Sequence, residues 1–199
     1  MKRKLSLVGY SGHAYVCAEI AILNNIKLYG YYENYKKKEN PYNLEYLGQE
    51  ENINDNNIFI SIGDNSIRKK IYQKLSQANF KTKLLHPNSI ISSTANISDQ
   101  VLICSGAIIN PQVNIGFGSI INTGSLIEHG CAIERFCHIA PGAVILGDVL
   151  VGEGSLIGAN SVIKQGVKIG KNSIVGAGSV VLTDVNDNSK VVGNPCRKI

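Results

Sequence analysis

The chain contains no tryptophan, and after residue 85 it has no tyrosine either; only Phe117 and Phe136 are aromatic there. No run of about 18 apolar residues exists, which excludes a membrane-spanning helix of the usual length. The basic start Met1-Lys2-Arg3-Lys4 meets Gly9 and Gly12 too early for a signal-peptide core, so the expected address is the cytoplasm. Cys17, Cys104, Cys131, Cys137 and Cys196 are odd in number and stand at no metal-ligand spacing. Neither a disulfide framework nor a metal site is therefore expected, and the thiols read as small apolar residues. Charge is modest, with a net of +5 and no nucleic-acid-binding motif, so nucleic acid is not an expected partner. With 199 residues, 44% of them apolar, the chain still has room for one large or two small domains with cores of their own.

What is present is unevenly divided. All nine tyrosines precede residue 85, while fifteen of the twenty glycines follow it. The first part carries 13 Lys/Arg against 8 Asp/Glu and the second 7 against 7, so the whole positive surplus falls in the first. Two differently built domains, 1–85 and 86–199, are the simplest explanation.

The second part is periodic. Every sixth residue from Ile91 to Val181 is Ile or Val, sixteen in succession, and the position four further on is always small. Between them glycine recurs, as at Gly106, Gly118, Gly124, Gly130, Gly142, Gly154, Gly166 and Gly178. A helix repeats every 3.6 residues and an isolated strand every two, so a period of six fits neither. It fits short strands joined at tight corners, three hexads to a triangular coil, with coils stacked about 4.8 Å apart. Glycine suits corners that need positive φ. Sixteen hexads imply just over five coils. The pattern resembles the hexapeptide-repeat acyltransferases, whose fold is a left-handed parallel β-helix; the resemblance implies acetyl-CoA as co-substrate and a homotrimer with active sites between neighbouring β-helices.

The first part alternates strand and helix: strands over 5–8, 27–32 and 57–62, helices over 14–23 and from about 66 to 77, the second capped by Asp64 or Asn65. This implies a small parallel sheet, a Rossmann-like α/β domain. Ligands of such sheets lie beyond the carboxyl ends of the strands, where Gly9-Tyr10-Ser11-Gly12-His13 and Gly63 fall. The first turn is not the G-x-G-x-x-G fingerprint, so by itself it is either a phosphate cradle or a plain structural turn.

Together with Ile62-Gly63-Asp64-Asn65, Ile67-Arg68-Lys69-Lys70, the hexads and Val192-Gly193-Asn194-Pro195, that turn resembles one sugar acetyltransferase family. It includes the UDP-4-amino-sugar N-acetyltransferases of bacillosamine synthesis and the sialic acid O-acetyltransferases. The resemblance implies that the first domain holds a UDP-amino sugar, with Ser11, Gly12 and His13 at the pyrophosphate and Gly63 among the substrate-binding residues. The family's second strand often ends in two acidic residues near the uridine; here the match is Glu33-Asn34, so one carboxylate is an amide.

Moving an acetyl group from a thioester to an amine needs a base, a held geometry and donors for the developing oxyanion. Histidine suits the base, since its ordinary pKa of about 6.5 leaves it mostly neutral in the cytoplasm. The chain has four: His13, His86, His129 and His138. His86, at the domain junction, reads as structural. The family's Asn-Thr-Gly to Glu-His segment matches Asn122-Thr123-Gly124 and Glu128-His129. By that resemblance His129 is the base, Asn122 orients the amine and His138 contacts the acetyl-CoA thioester. In the family an acidic residue commonly follows the histidine, but here Gly130 does, so either Glu128 or a neighbouring subunit supplies the carboxylate or the base works without one. The pantetheine arm is expected near Gly147, Ala159 and Ala177, and the adenosine phosphates near Lys190, Arg197 and Lys198. Lys36-Lys37-Lys38 reads as an exposed loop. The expected function is acetyl-CoA-dependent N-acetylation of the 4-amino group of a UDP-linked 4-amino-4,6-dideoxy sugar by direct attack, with His129 where the two domains meet. O-acetylation of sialic acid or a related sugar, and a non-catalytic nucleotide-sugar-binding scaffold, are the alternatives.

Overall fold

The apolar residues 5–8 run straight into Gly9 and form the centre of a parallel sheet. In the computed structural model, which describes residues 4–53, 57–75 and 78–199, the sheet is built from β1 (Lys4–Val8), β2 (Lys27–Tyr32), β3 (Glu45–Gly48) and β4 (Ile58–Ile60) in the order β3-β2-β1-β4. Helix α1 (Gly12–Leu23) follows β1, and α2 (Asn65–Lys74) follows β4. The basic start at residues 1–3 and the expected helix end at Gln77 lie outside the described residues. Asp64 caps α2 by accepting the Ile67 N–H at 2.8 Å, which satisfies one of the donors a helix start leaves open.

Two expectations change. The third strand runs Ile58–Ile60 and is shorter than 57–62, and β3, which pairs with β2 through Gly30 and Glu45, had no counterpart. With β2 on one flank of β1 and β4 on the other, the chain reverses its course across the sheet at β1. The crevice that such a reversal opens at the strands' carboxyl ends contains the turns at Gly9 and Gly63.

From Leu84 onward the chain is a left-handed parallel β-solenoid. Its strands as far as Val180–Val181 are two residues long, and each second residue from Ile97 to Val181 is a buried Ile or Val of the hexad column. Ile115 lies beside Ile133, Ile121 beside Ile139 and Ile127 beside Ile145, one coil of 18 residues apart. Each buried branched side chain contributes about 1.5–3 kcal/mol, so the column is the axis of stability. The small positions complete the interior, and buried serines there give their hydroxyls to carbonyls: Ser119 to Glu134, Ser155 to Gly170 and Ser161 to Gly176.

The solenoid runs longer than the hexads alone implied. One face has eight strands, the last two, Lys190–Gly193 and Cys196–Lys198, forming an antiparallel hairpin; seven parallel strands replace the five coils expected. The reason is that Leu84–Leu85, one hexad ahead of the regular repeat, already pairs with Leu102–Ile103, and that Lys190–Gly193 continues the stack beyond it.

The corners are also less glycine-dependent than expected. Every sixth residue from Gln100 to Gly178 has φ between +51° and +75°, yet Gln100, Gln112, Phe136, Asp148, Asn160 and Asn172 occupy six of these fourteen positions. The solenoid imposes the left-handed conformation, and Asx side chains tolerate it best after glycine.

The two units pack closely. On the eight-stranded face the outward residues Leu84, Leu102, Ile120, His138, Leu156 and Ile174 form one column. Its first three join Leu5, Leu7 and Cys17 in a shared core, so the sheet domain sits over that end and leaves His138 at its margin. No helix among the described residues is long and apolar enough to cross a membrane.

Candidate functional site

Gly9 can be nothing larger: its φ is +89°, and a Cβ would come within 2.5 Å of the Ile62 side chain. The tight turn delivers Ser11 and Gly12, both exposed, to the start of α1, which has no acidic residue in its first turn. Helix starts of this kind present N–H groups and a partial positive charge to an anion. Glu33, the first residue after β2, accepts the Tyr10 N–H at 3.2 Å and pairs with Lys37 at 3.3 Å. Asn34 is exposed beside it, its carbonyl held by Gln49.

His13 turns from this crevice toward the solenoid. Its ring packs against Gly63, where a Cβ would lie 3.6 Å from Cγ, and its centroid is 6.3 Å from that of His138. Burial, with the Arg68 charge adding to it, lowers both histidines to a pKa of about 4. At neutral pH both rings are uncharged. Asn122 Oδ1 accepts the Thr123 N–H at 2.8 Å, which leaves its Nδ2 facing His138 Nε2 at 3.1 Å. An amide nitrogen donates, so His138 Nε2 accepts and the ring proton is on Nδ1. The lone pair of His138 is thus engaged, and Asn122 serves His138. A cleft of about 300 Å³ opens here, lined by Gly63, Asp64, Asn65, Ser66 and His138 among others.

Arg68 joins these parts, and its role was not anticipated. It is 2% exposed, and its guanidinium donates to the carbonyls of Ile62, Gly63, Gly118, Phe136 and Cys137 and to Asn65 Oδ1. Five of the six acceptors are carbonyl oxygens, from both units. Asn65 adds its own bonds to the Gly154 and Ser155 carbonyls, each 3.1 Å.

His129 is elsewhere. It follows Leu126–Ile127, a strand of the six-stranded face, and is exposed at that strand's far corner; Asn122 precedes the strand, at the corner bordering the eight-stranded face. A six-residue side at about 3.3 Å per residue separates the corners by under about 20 Å. The expectation that His129 stands where the two domains meet is therefore corrected: the domains meet on the eight-stranded face, and the hexad spacing carries His129 one side further round. Glu128, half-buried, ends the same side. The His129 ring lies over the next coil, where a Cβ on buried Gly147 would come 2.7 Å from its Cε1. Asp148 donates its N–H to the His129 carbonyl at 2.9 Å. His86 accepts the Asn88 N–H on Nδ1 at 3.0 Å, in keeping with a structural role.

The expected pantetheine positions divide in the same way. Gly147 belongs to the His129 corner, while half-buried Ala159 and exposed Ala177 stack on the Asn122 corner. Lys190, Arg197 and Lys198 are exposed on the closing hairpin. Burial raises the thiols of Cys104 and Cys137 to about 12 and of Cys131 to about 11, and Cys17 is raised as well, so none of the four is a thiolate nucleophile.

Residues 4–75 match the PglD N-terminal domain, and residues 148–183 match the bacterial transferase hexapeptide (six repeats). Among solved structures, the acetyltransferase domain of PglB from Neisseria gonorrhoeae FA1090 in complex with acetyl coenzyme A is 26% identical, with a TM-score of 0.93 over 100% of both chains. PerB from Caulobacter crescentus, in complex with CoA and GDP-perosamine, is 27% identical with a TM-score of 0.91 over 99% of this chain and 97% of that one.

Proposed function

We propose that this chain is a hexapeptide-repeat acyltransferase that moves the acetyl group of acetyl-CoA to the 4-amino group of a UDP-linked 4-amino-4,6-dideoxy sugar, a reading supported by its family-model matches and by the acetyltransferases it resembles in structure. One observation carries the assignment of the base. Of the four histidines, His13 and His138 are weak bases that resist taking a proton, with pKa values of about 4, His138 and His86 have a ring nitrogen engaged as an acceptor, and His129 alone is exposed at a corner.

The N–H groups of Ser11, Gly12 and His13 at the start of α1 hold the diphosphate, and Glu33 with Asn34 meets the nucleoside. Acetyl-CoA supplies an acyl carbon already activated as a thioester. His129 takes a proton from the 4-amino group, whose nitrogen attacks that carbon directly, and the thiol of CoA leaves. Glu128 flanks the base, and Asn122 acts by holding His138 beside the thioester. The chain fits the co-substrate through backbone: the Gly147 and Ala159 carbonyls already accept from Gly166 and Gly178, which leaves N–H groups for a pantetheine arm. Lys198 and its neighbours meet the adenosine phosphates. We place the reaction in the cytoplasm, which keeps thiols such as these five unpaired cysteines reduced.

The separation of His129 from Asn122 and His138 supports a homotrimer in which the His129 corner of one copy meets the Asn122 corner of the next, since a cyclic assembly with that contact would reunite the two halves of the site. His129→Ala is expected to lower kcat by about 10²- to 10⁴-fold. Gly12→Asp, at a site with open space around the glycine, repels the diphosphate without a clash. Co-assembly of the two inactive variants in equal amounts restores about a quarter of the wild-type sites if each site is shared between copies. Near-normal turnover by His129→Ala would remove the base, and a mixture that stays inactive would place each site within one copy. Mass spectrometry on UDP- and GDP-linked 4-amino sugars tests the acceptor; a preference for GDP would overturn the uridine assignment.

A further inference from the structure

At three corners a glycine in one coil lies beneath an Asx residue in the next: Gly130 under Asp148, Gly142 under Asn160 and Gly154 under Asn172. In each pair the upper Oδ1 fills the space that a Cβ on the glycine would occupy. Two of the three are amides, and the third, beside His129, is a carboxylate. The corner itself does not ask for the charge, since Asn160 and Asn172 make the same turn with φ of +55° and +51° where Asp148 has +58°.

The neighbourhood of that one carboxylate is distinctive. The His129 ring reaches up to Gly147, while the Asp148 side chain reaches down over Gly130, so imidazole and carboxylate project from adjacent positions of neighbouring coils without an ion pair between them in this arrangement. The Asp148 N–H to His129 carbonyl bond of 2.9 Å ties the two residues in register. Asp148 and Glu128 both add to the raised pKa of Cys131, behind its burial, which puts both charges around this corner. From the coil below come Pro111, whose carbonyl accepts the Gly130 N–H, and Gln112, neither of which is ionisable.

We propose that Asp148 is the positioning residue for His129, supplying from the coil above the carboxylate that position 130 lacks. It orients the imidazole, selects the tautomer with its free lone pair toward the amine, and stabilises the imidazolium formed when the amine proton is taken. Asp148 touches neither substrate and acts through the ring. The inference rests on His129 as the base.

The test uses the assembled full-length enzyme with acetyl-CoA and the acceptor. Asp148→Asn keeps the corner, as Asn160 and Asn172 do, and removes only the charge. Its melting temperature should match wild type, kcat should fall by about 10- to 100-fold, and KM for both substrates should stay within about two-fold. The double variant Gly130→Asp/Asp148→Gly moves the carboxylate to the lower coil and puts glycine above, and it should regain most of the lost kcat. A wild-type kcat in Asp148→Asn, or a folded double variant no faster than the single one, overturns the proposal. So does a Glu128→Gln variant that alone shows the kcat loss. His129→Ala measured alongside separates the two readings: turnover retained there sinks the base and this proposal together, whereas an inactive His129→Ala beside a normal Asp148→Asn sinks the role of Asp148 only.

Discussion

Arg68 is a buried cation whose partners are almost all dipoles. Burial lowers its pKa to about 10, with Cys137, Asp64 and Cys17 opposing, so it stays charged at neutral pH. The planar fork explains why arginine occupies the site: its donors reach two carbonyls of the Gly63 turn, three of the solenoid and Asn65 at once, which no ammonium group matches. Arg68→Met leaves five buried carbonyls without that donor and should cost on the order of 3–5 kcal/mol, whereas Arg68→Lys should recover only part of the loss. Denaturant unfolding measures both, and equal stability of Arg68→Lys and wild type would contradict the argument. Gly147 shows the opposite economy at residue scale, having no side chain because the His129 ring takes its space. Gly147→Ala should displace that ring and lower kcat by about 10²-fold while the fold is retained, as a small misplacement at the reacting centre does. Kinetics beside a melting curve would show it, and unchanged turnover would mean the ring does not work from this position.

At the scale of elements, the solenoid is a stack of corners as much as a stack of strands. Its two-residue strands carry the buried column, but the turn between them demands positive φ, which asparagine and aspartate accept and β-branched residues do not. Asn160→Gly should therefore be nearly neutral and Asn160→Val should cost about 1–2 kcal/mol, read as a shift in the unfolding midpoint. Matching midpoints for the two variants would show that the corner tolerates any residue. Phe136 departs from this rule, with φ +55° and 1% exposure. Its ring packs with Tyr72 of α2 and Phe117 of the coil below, and the Arg135 guanidinium lies over all three rings at 5.3–5.5 Å. Docking of α2 onto the solenoid is what holds an aromatic residue in a glycine conformation.

The whole molecule has a pH dependence built into the junction between its units. The folded-state pKa of His13 and His138 is about 4, below the ordinary 6.5. Above pH 6.5 neither state binds the extra protons, so the pair leaves stability unchanged. As pH falls from 6.5 to about 4 the unfolded chain takes protons that the folded chain refuses, and stability declines; below about 4 both states are protonated and the decline from this pair ends. Urea midpoints between pH 7 and pH 4.5 should therefore drop, and the drop should shrink in the double variant His13→Gln/His138→Gln. The same slope in the variant would place the acid sensitivity elsewhere. Function scales in the same way, since the proposed acceptor crevice and His138 lie on one side of the solenoid and His129 on another, and the proposed catalytic unit is a contact between copies.

The repeat was legible in the amino-acid order because a solenoid coil meets only its neighbours: inward positions stay inward every six residues, and each departure shows as a break in a regular column. The same holds for β1, β2, α1 and the Asp64 cap, whose signals are local. Strand β3 was missed because its residues 45–48 carry no alternation and end in glycine, and pairing with β2 alone makes them a strand. Arg68 stands in the sequence only as one residue of the family-like stretch Ile67-Arg68-Lys69-Lys70, and nothing local marks it as the one that the docking of α2 buries. His129 and His138 could be named from their hexads, but hexad position does not say which corner faces the sheet domain. That follows from the apolar column Leu84, Leu102 and Ile120, which the sheet domain covers. Periodicity determined the solenoid because its forces are short-ranged and repeat along the chain; packing between the units decided which histidine is buried and neutral and which remains at an open corner, since burial is set by residues distant in sequence.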